Sequence, residues 1–305
     1  MRRQITLLLL AALLSLPARG ADIRFPGGDS PDDKRWDFVL EILALALEKA
    51  PDRAGPDRII RLPAQMQARR IAELRAGELE VAVAVDSRDL RKQGVIVIPT
   101  PLQRGLLGWR LLMIRPESAP RFASVTSLEQ LRPLQLGFIR TFADYPIMRA
   151  NGLNLVDAGD YSGAFRMLAA GRMDYLSRGV AEIFWELDVQ KRNGVTPLQI
   201  EPALALHYRA DWYFIVNPTR ADLAERVTRG LGKAIQDGSY DRSFQRHFAQ
   251  ILASANFERR RIIELSNPDL EQDDSVPTSW WWQPASPAQS ADNPPQSAVR
   301  KKGGR

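Results

Sequence analysis

The chain has 305 residues, 42 of them Lys or Arg and 36 Asp or Glu, with 45% hydrophobic residues and no cysteine. This composition excludes a disordered chain, a collagen-like fibre and a disulfide-stapled miniprotein, and it leaves no thiolate for catalysis or metal binding. The formal charge of +6 arises at the ends: without residues 1–20 and 300–305, 35 basic side chains face 36 acidic ones. A nucleic-acid surface would need its basic face on the folded part, so the charge balance argues against one.

Arg2 and Arg3 precede an apolar run from Ile5 to Leu16, followed by Pro17 and then Ala18-Arg19-Gly20. Basic start, short apolar stretch and small residues form a secretory leader, with cleavage expected before Ala21. A helix of that run spans about 18 Å, too short for a hydrocarbon core of about 30 Å. No cysteine follows, so a lipoprotein is excluded, and the mature chain is expected in the periplasm.

Asp22 to Phe25 reads as a strand, and Ser30-Pro31-Asp32-Asp33 as a capped helix start. Phe38, Ile42, Leu45 and Ala46 recur at helical spacing up to Ala50. Arg58 to Leu62 reads as a strand and Gln65 to Ala76 as a helix. Leu79 to Val85 is nearly all apolar, as in a strand buried on both faces, and Val95 to Ile98 is another strand. This β-α-β-α-β order predicts a parallel sheet between helices. A second α/β unit follows. Strands are expected at 111–114, 134–137, 153–156 and 175–176, with helices at 144–151, 161–170 and 180–189. Tyr213 to Val216 is a further strand, Ala221 to Gln236 and Tyr240 to Ala253 are long helices, and Arg261 to Leu265 is a closing strand. Beyond about residue 285 the Pro/Ser/Gln/Ala-rich basic tail is expected to be disordered.

Three segments carry a resemblance. Arg70 to Gly77 followed by Glu78-Leu-Glu-Val-Ala-Val is a helix, Leu-x-x-Gly, strand step. Met167-Leu-Ala-Ala-Gly-Arg-Met-Asp174 repeats it, and Gly230 to Tyr240 contains an Asp-Gly-Ser-Tyr corner. Their order resembles the type II periplasmic binding proteins, and more narrowly a divergent branch of the family 3 extracellular solute-binding proteins. The resemblance implies an α/β fold of two lobes, with mixed, mostly parallel sheets and a hinge of two crossovers. Lobe 1 would be residues 21–100 plus 207–284 and lobe 2 residues 101–206, with a small ligand held between them. It also implies a monomer that works with a membrane permease or a sensor.

Strand C-termini face the ligand in open α/β sheets, which selects Asp86 at the end of the buried strand. The resemblance puts Arg91 where the family keeps an arginine for a ligand carboxylate, a role that suits its planar fork. The turn 137–144 would offer backbone N–H groups, the Thr141 hydroxyl and the Arg140 charge to an anion; a plain helix cap is the alternative for Thr141. Arg178 precedes Gly179, which stands where amino-acid binders of the family carry an Asp for the ligand's ammonium. Glu182 or Asp86 would have to replace it, and a carboxylate-bearing ligand is expected. Trp36 is a candidate for stacking on the ligand, with the lobe core as its alternative, and Arg104 could point into the cleft. Trp280-Trp281-Trp282 is expected to act as a C-terminal clasp on lobe 1.

His207 and His247 show no metal-ligand spacing, and no nucleophile elbow or phosphate loop is present. No cofactor is expected. The leading expectation is a solute-binding protein without enzymatic activity. The alternative is a dehydratase or lyase on the same fold, with Glu182 as proton donor.

Overall fold

The computed structural model describes residues 20–27, 35–52, 55–63, 67–269 and 276–284. The leader, the Ser30-Pro31 helix start and the tail from residue 285 lie outside the described residues. The chain runs through β1 (Asp22–Phe25), α1 (Arg35–Lys49), β2 (Arg58–Arg61), α2 (Gln67–Ala76), β3 (Val81–Val85), α3 (Arg88–Arg91) and β4 (Ile96–Val97). It continues through β5 (Trp109–Ile114), α4 (Ala119–Ala123), α5 (Leu128–Leu131), β6 (Gln135–Phe138), α6 (Tyr145–Ala150), β7 (Asn154–Asp157), α7 (Tyr161–Ala169), β8 (Tyr175–Gly179), α8 (Ile183–Arg192) and β9 (Gln199–His207). It closes with β10 (Trp212–Val216), α9 (Ala221–Gln236), α10 (Ser239–Ala255) and β11 (Arg261–Glu264).

The strands build two lobes. In the first, β2 pairs with β1, and β10 lies antiparallel between β3 and β4. The Glu80 N–H donates to the Arg24 carbonyl at 3.3 Å, and the Glu80 carboxylate accepts from the Arg24 amide at 2.7 Å, which joins the two pieces in the order β2-β1-β3-β10-β4. The second sheet runs β7-β6-β8-β5-β9-β11. Without β11, the two orders match strand for strand. In each lobe the strand that arrives from the other lobe, β10 or β5, is the antiparallel one. The ladders are therefore mixed, four parallel and four antiparallel among the described residues.

Helix packing in the first lobe follows from the apolar periodicity. Leu223, Ala224, Val227, Leu231 and Ala234 of α9 share one buried stripe, against α1 with Val39, Ile42, Leu43 and Ala46. Gly230 permits this contact, because a Cβ there would stand 1.9 Å from the Ala46 carbonyl oxygen.

Two strands depart from expectation. β9 has no counterpart among the expected strands; Pro202 interrupts it, and proline cannot donate to a ladder. The structure accommodates it with a bulge: Leu111 faces Ala205, but Met113 faces Ile200. The freed amides of Ala203 and Leu204 donate to the Glu201 carboxylate at 2.8 and 2.5 Å. β11 pairs in parallel with β9, and Ile263 and Leu265 pack with Tyr208 and Ala210 into the core of the second lobe. The segment 261–265 thus belongs with lobe 2, not with the 207–284 portion of lobe 1 expected from the sequence.

The lobes are joined by residues 98–108 and 208–211. The two crossovers touch at Gly108, whose amide carbonyl accepts from Tyr208 at 3.2 Å. A Cβ at 108 would lie 1.7 Å from the Tyr208 oxygen, so only glycine allows this approach. Asp211, fully buried, accepts from the amides of Gln103 at 2.9 Å, Gly105 at 2.6 Å and Trp212 at 2.6 Å. The Trp280–Trp282 segment packs over the first crossover. The Trp282 amide donates to the Arg104 carbonyl at 2.8 Å, the Trp280 indole to the Pro101 carbonyl at 3.1 Å, and Trp282 meets Trp109 edge-on at 5.3 Å. The clasp therefore rests on the hinge.

Candidate functional site

The C-terminal ends of the strands place polar and aromatic residues at the rim of each lobe. In the first lobe β3 ends at Val85, and the chain turns at Asp86 into α3. Ser87 caps α3 by accepting the Leu90 amide at 3.1 Å. This short helix returns Arg91 to Asp86, whose carboxylate it grips with Nε at 3.0 Å and with Nη2. The Asp86 side chain is buried, whereas that of Arg91 is 52% exposed. This is an adaptable arrangement: the acid is fixed and the cation reaches solvent.

The second lobe is built differently. Arg110 on β5 and Arg178 on β8 lie on adjacent strands, with Leu111 directly opposite Arg178. Both are buried, and three carboxylates surround them: Asp144, Glu182 and Glu186. Arg178 binds Glu186 through two parallel bonds, Nε to Oε2 at 2.9 Å and Nη2 to Oε1 at 2.6 Å, and its Nη2 lies 3.1 Å from Glu182. Arg110 donates to the Ser177 carbonyl at 2.9 Å and stands 3.5 Å from Asp144 and 3.9 Å from Glu182. The Tyr161 hydroxyl donates to Glu186 at 2.8 Å, and the Tyr208 hydroxyl to Asp144 at 2.7 Å. Burial pulls the Arg178 pKa down, but Glu182 and Glu186 outweigh it and hold it well above its ordinary value. Burial is also the main cause that raises the phenols of Tyr161 and Tyr208. Both stay neutral donors.

Beside Arg178 lies a shallow depression of about 10 Å³, room for about one water molecule. Its walls include Phe138, Ile139, Phe142, Tyr161, Phe165 and Leu176. Along β8, Leu176 and Arg178 share a face and Ser177 turns to the other. Arg178 is the only charged residue among the lining residues, and its guanidinium lies 5.7 Å from the Phe142 ring and 5.5 Å from the Tyr161 ring.

The structure thus brings Arg178 and Glu182 together in the second lobe and puts Asp86 and Arg91 together at the end of β3 in the first. Glu182 Oε1 accepts the Gly179 amide at 2.8 Å, and a Cβ at 179 would meet that oxygen at 3.2 Å. The carboxylate therefore reaches back to the position where Gly179 lacks a side chain. Arg140 and Thr141 are exposed, and Arg140 is engaged by Asp157 at 2.7 Å. Two candidates lie elsewhere. Trp36 is 1% exposed, sealed by Phe25, Trp212 and the Arg70 guanidinium, and belongs to the core of the first lobe. Arg104 sits in the left-handed region (φ 52°), its guanidinium over the rings of Tyr240, Phe244 and Trp280 and paired with Asp241. It is the cation of the clasp.

Sequence reasoning missed Arg110, Asp144, Tyr161, Glu186 and Tyr208. One signal was available: Glu182 and Glu186 are one helical turn apart, just after Arg178. Arg110 gave none, because its partners come from three separate segments. Among the described residues no group of three His, Asp or Glu could hold a metal ion, and no helix is long and apolar enough to cross a membrane.

No family model matches the sequence, and no curated protein does. Solved structures match its fold. An ancestral arginine-binding protein bound to arginine superposes with a TM-score of 0.54 at 17% identity, over 76% of this chain and 99% of that one. A probable amino-acid ABC transporter extracellular-binding protein from Bacillus subtilis gives 0.55 at 12% identity, over 75% and 98%. A histidine kinase sensor domain with similarity to periplasmic binding proteins gives 0.51 at 18% identity, over 76% and 97%. With the matched strand orders and the doubled crossover, these define the fold as that of a two-lobed periplasmic binding protein. At such identities the likeness is one of fold.

Proposed function

We propose that the chain is an exported solute-binding protein of the periplasm, released by its N-terminal leader. It captures a small polar, carboxylate-bearing ligand between its lobes for a membrane permease or a sensor. The observation that supports this reading is the pair of strand ends, one in each of two doubly connected lobes, one bearing Arg91 on buried Asp86 and the other the Arg110–Arg178 network. Such an arrangement closes by hinge motion around what it holds. Arg91 is the group offered to a carboxylate, since its half-exposed guanidinium reaches solvent while it holds the buried Asp86. The solved neighbours include amino-acid-binding transport components and a sensor domain, which supports both destinations.

The reading involves no turnover. Glu182, the proton donor that a lyase would need, is held as an acceptor by Gly179 and flanked by two arginines. Scattering and thermal denaturation test the proposal with amino acids and dicarboxylates at millimolar concentration. A binder raises the melting temperature by mass action and contracts the molecule. Neither effect with any of these ligands refutes the reading.

A further inference from the structure

We infer that the C-terminal part of the chain is a strap that restrains the hinge and ties it to the short helix bearing Arg91. Its described pieces are residues 256–269 and 276–284. This goes beyond the solute-binding reading and takes from it only the role of Arg91.

The chain passes between the lobes beyond its two crossovers. α10 packs against α1 and α9 in the first lobe, whereas β11, which follows it, pairs with β9 in the second. Residues 256–260 therefore make a third passage, entered through Asn256 in the left-handed region (φ 51°). The chain then returns. Ser266 is still tied to lobe 2, where it exchanges bonds of 2.9 and 2.8 Å with the Asn151 side chain. The Asn267 side chain donates to the Arg209 carbonyl of the second crossover at 2.8 Å. Arg88, the first residue of α3 in lobe 1, donates to the Pro268 carbonyl at 2.5 Å and to the Asp269 carboxylate at 2.9 Å. Within four residues the strap thus touches lobe 2, the hinge and lobe 1. Its grip in lobe 1 falls on α3, whose last residue, Arg91, holds Asp86.

The second piece covers the same hinge. Trp281 touches both crossovers: a Cβ at Gly105 would stand 2.6 Å from its indole, and the Arg209 guanidinium lies 4.5 Å from the ring centre. On either side, Trp280 meets Tyr240 of α10 at 5.0 Å and Trp282 meets Trp109 at the start of β5. A terminal extension packed on one lobe leaves lobe motion free. One anchored to both lobes and both crossovers has to deform or let go when the lobes turn about the hinge. The two anchors differ in strength. The Arg88–Asp269 pair is largely exposed and holds weakly, whereas the indole contact removes a large apolar surface from water.

The test is made on the mature full-length protein without ligand. The sequence has no cysteine, so exposed Arg75→Cys in lobe 1 and Arg149→Cys in lobe 2 carry a pair of spin labels whose distance distribution reports lobe motion. Hydrogen exchange at 98–108, 208–211 and 266–269 reports the hinge and the strap. Trp281→Ala should broaden the distance distribution and speed exchange at both crossovers about tenfold, as local opening does. Arg88→Glu should speed exchange at 208–211 and 266–269 by up to about fivefold, the ceiling for an exposed pair. Adding Asp269→Arg to Arg88→Glu should recover part of that change, because the ion pair is remade while the bond to the Pro268 carbonyl is not. Exchange in Val81–Val85 should stay at the parent rate throughout. If Trp281→Ala leaves the distances and the crossover exchange unchanged, the strap is refuted. The same holds if exchange rises equally in Val81–Val85, which marks a plain loss of stability. If Arg88→Glu has no effect, or the exchanged pair recovers none of it, the tie to α3 is refuted. None of these outcomes touches the solute-binding reading, which stands or falls on ligand-dependent melting.

Discussion

In the first lobe, the charged pair at the strand ends is divided between interior and solvent; in the second, five charged side chains are sealed behind an aromatic wall. The two lobes nevertheless have the same strand order, β2-β1-β3-β10-β4 against β7-β6-β8-β5-β9. Topology therefore does not determine how a lobe presents charge. The difference comes from where the cations sit. Arg91 follows its strand and lies on a short surface helix, whereas Arg110 and Arg178 lie within strands of the sheet and are buried. A buried arginine needs carboxylates, and two helix starts supply them: Asp144 before α6, and Glu182 and Glu186 at the start of α8. The second lobe is thus a prepared surface, and the first retains a cation that can still change partner.

The largest effect is expected where that preparation is removed. Arg178→Met leaves Glu186 and Glu182 buried without their main counter-charge, which costs about 3–5 kcal/mol. Urea denaturation should show the loss, and an Arg178→Met, Glu186→Leu double variant should recover much of it. If the single variant is as stable as the parent, the second lobe is no more preorganised than the first.

Next comes the clasp that spans the hinge between them. Trp282 packs on Trp109 and Phe257 and is partly exposed. Trp282→Ala should cost roughly 2 kcal/mol, below the range for fully buried tryptophan. Because Trp109 begins β5 and stacks on His207 at the end of β9 at 4.1 Å, the loss should also loosen the coupling of the lobes. Hydrogen exchange at residues 101–110 reports this directly, and protection unchanged by the substitution would refute a hinge role.

Asp211 ties the two crossovers and gives a pH test. Burial raises its carboxyl, and although three amides favour the ionised form, the result is pushed up to about 7. The folded state then keeps the Asp211 proton to higher pH than the unfolded chain. Stability is greatest below the unfolded carboxyl range and falls as pH rises from about 4 to about 7. Asp211→Asn should flatten that slope. Its amide would point N–H groups at backbone donors, at a cost of about 1 kcal/mol. Urea midpoints at pH 4.5 and 7.5 check both effects.

Much of the fold was legible because periodicity is local. The helix Ala221–Gln236 and the Val81–Val85 strand read directly from their apolar patterns. β9 did not, because Pro202 breaks its pattern and the bulge is repaired by a side chain, Glu201, one residue before it. The candidate site was half legible. Asp86, Arg91, Arg178 and Glu182 follow from strand ends and from the resemblance. The network around Arg110 does not, because Asp144 and Tyr208 lie 34 and 98 positions beyond it and meet it only through β5's central place in the sheet. Arg104 lies in the clasp, and Trp36 in the lobe core that was its alternative, for a related reason: residue type marks an aromatic or a cation as cleft-worthy, but the neighbours that cover it come from distant segments.

The smallest effect completes the contrast and argues it from the opposite side. Arg140 belongs to the second lobe, follows a strand end and is bound to Asp157 at 2.7 Å, so by sequence and contact it resembles Arg178. It differs in environment, since its side chain is 69% exposed and that of Asp157 is 45% exposed. Water screens such a pair, and exposed ion pairs contribute little. Arg140→Ala should therefore leave the urea midpoint unchanged within error and leave the binding of every probe in the ligand panel unaffected. A clear loss of ligand affinity in this variant, with stability intact, would move the anion-reading role from Arg91 to the second lobe. The contrast between an adaptable first lobe and a prepared second one would then have to be reversed.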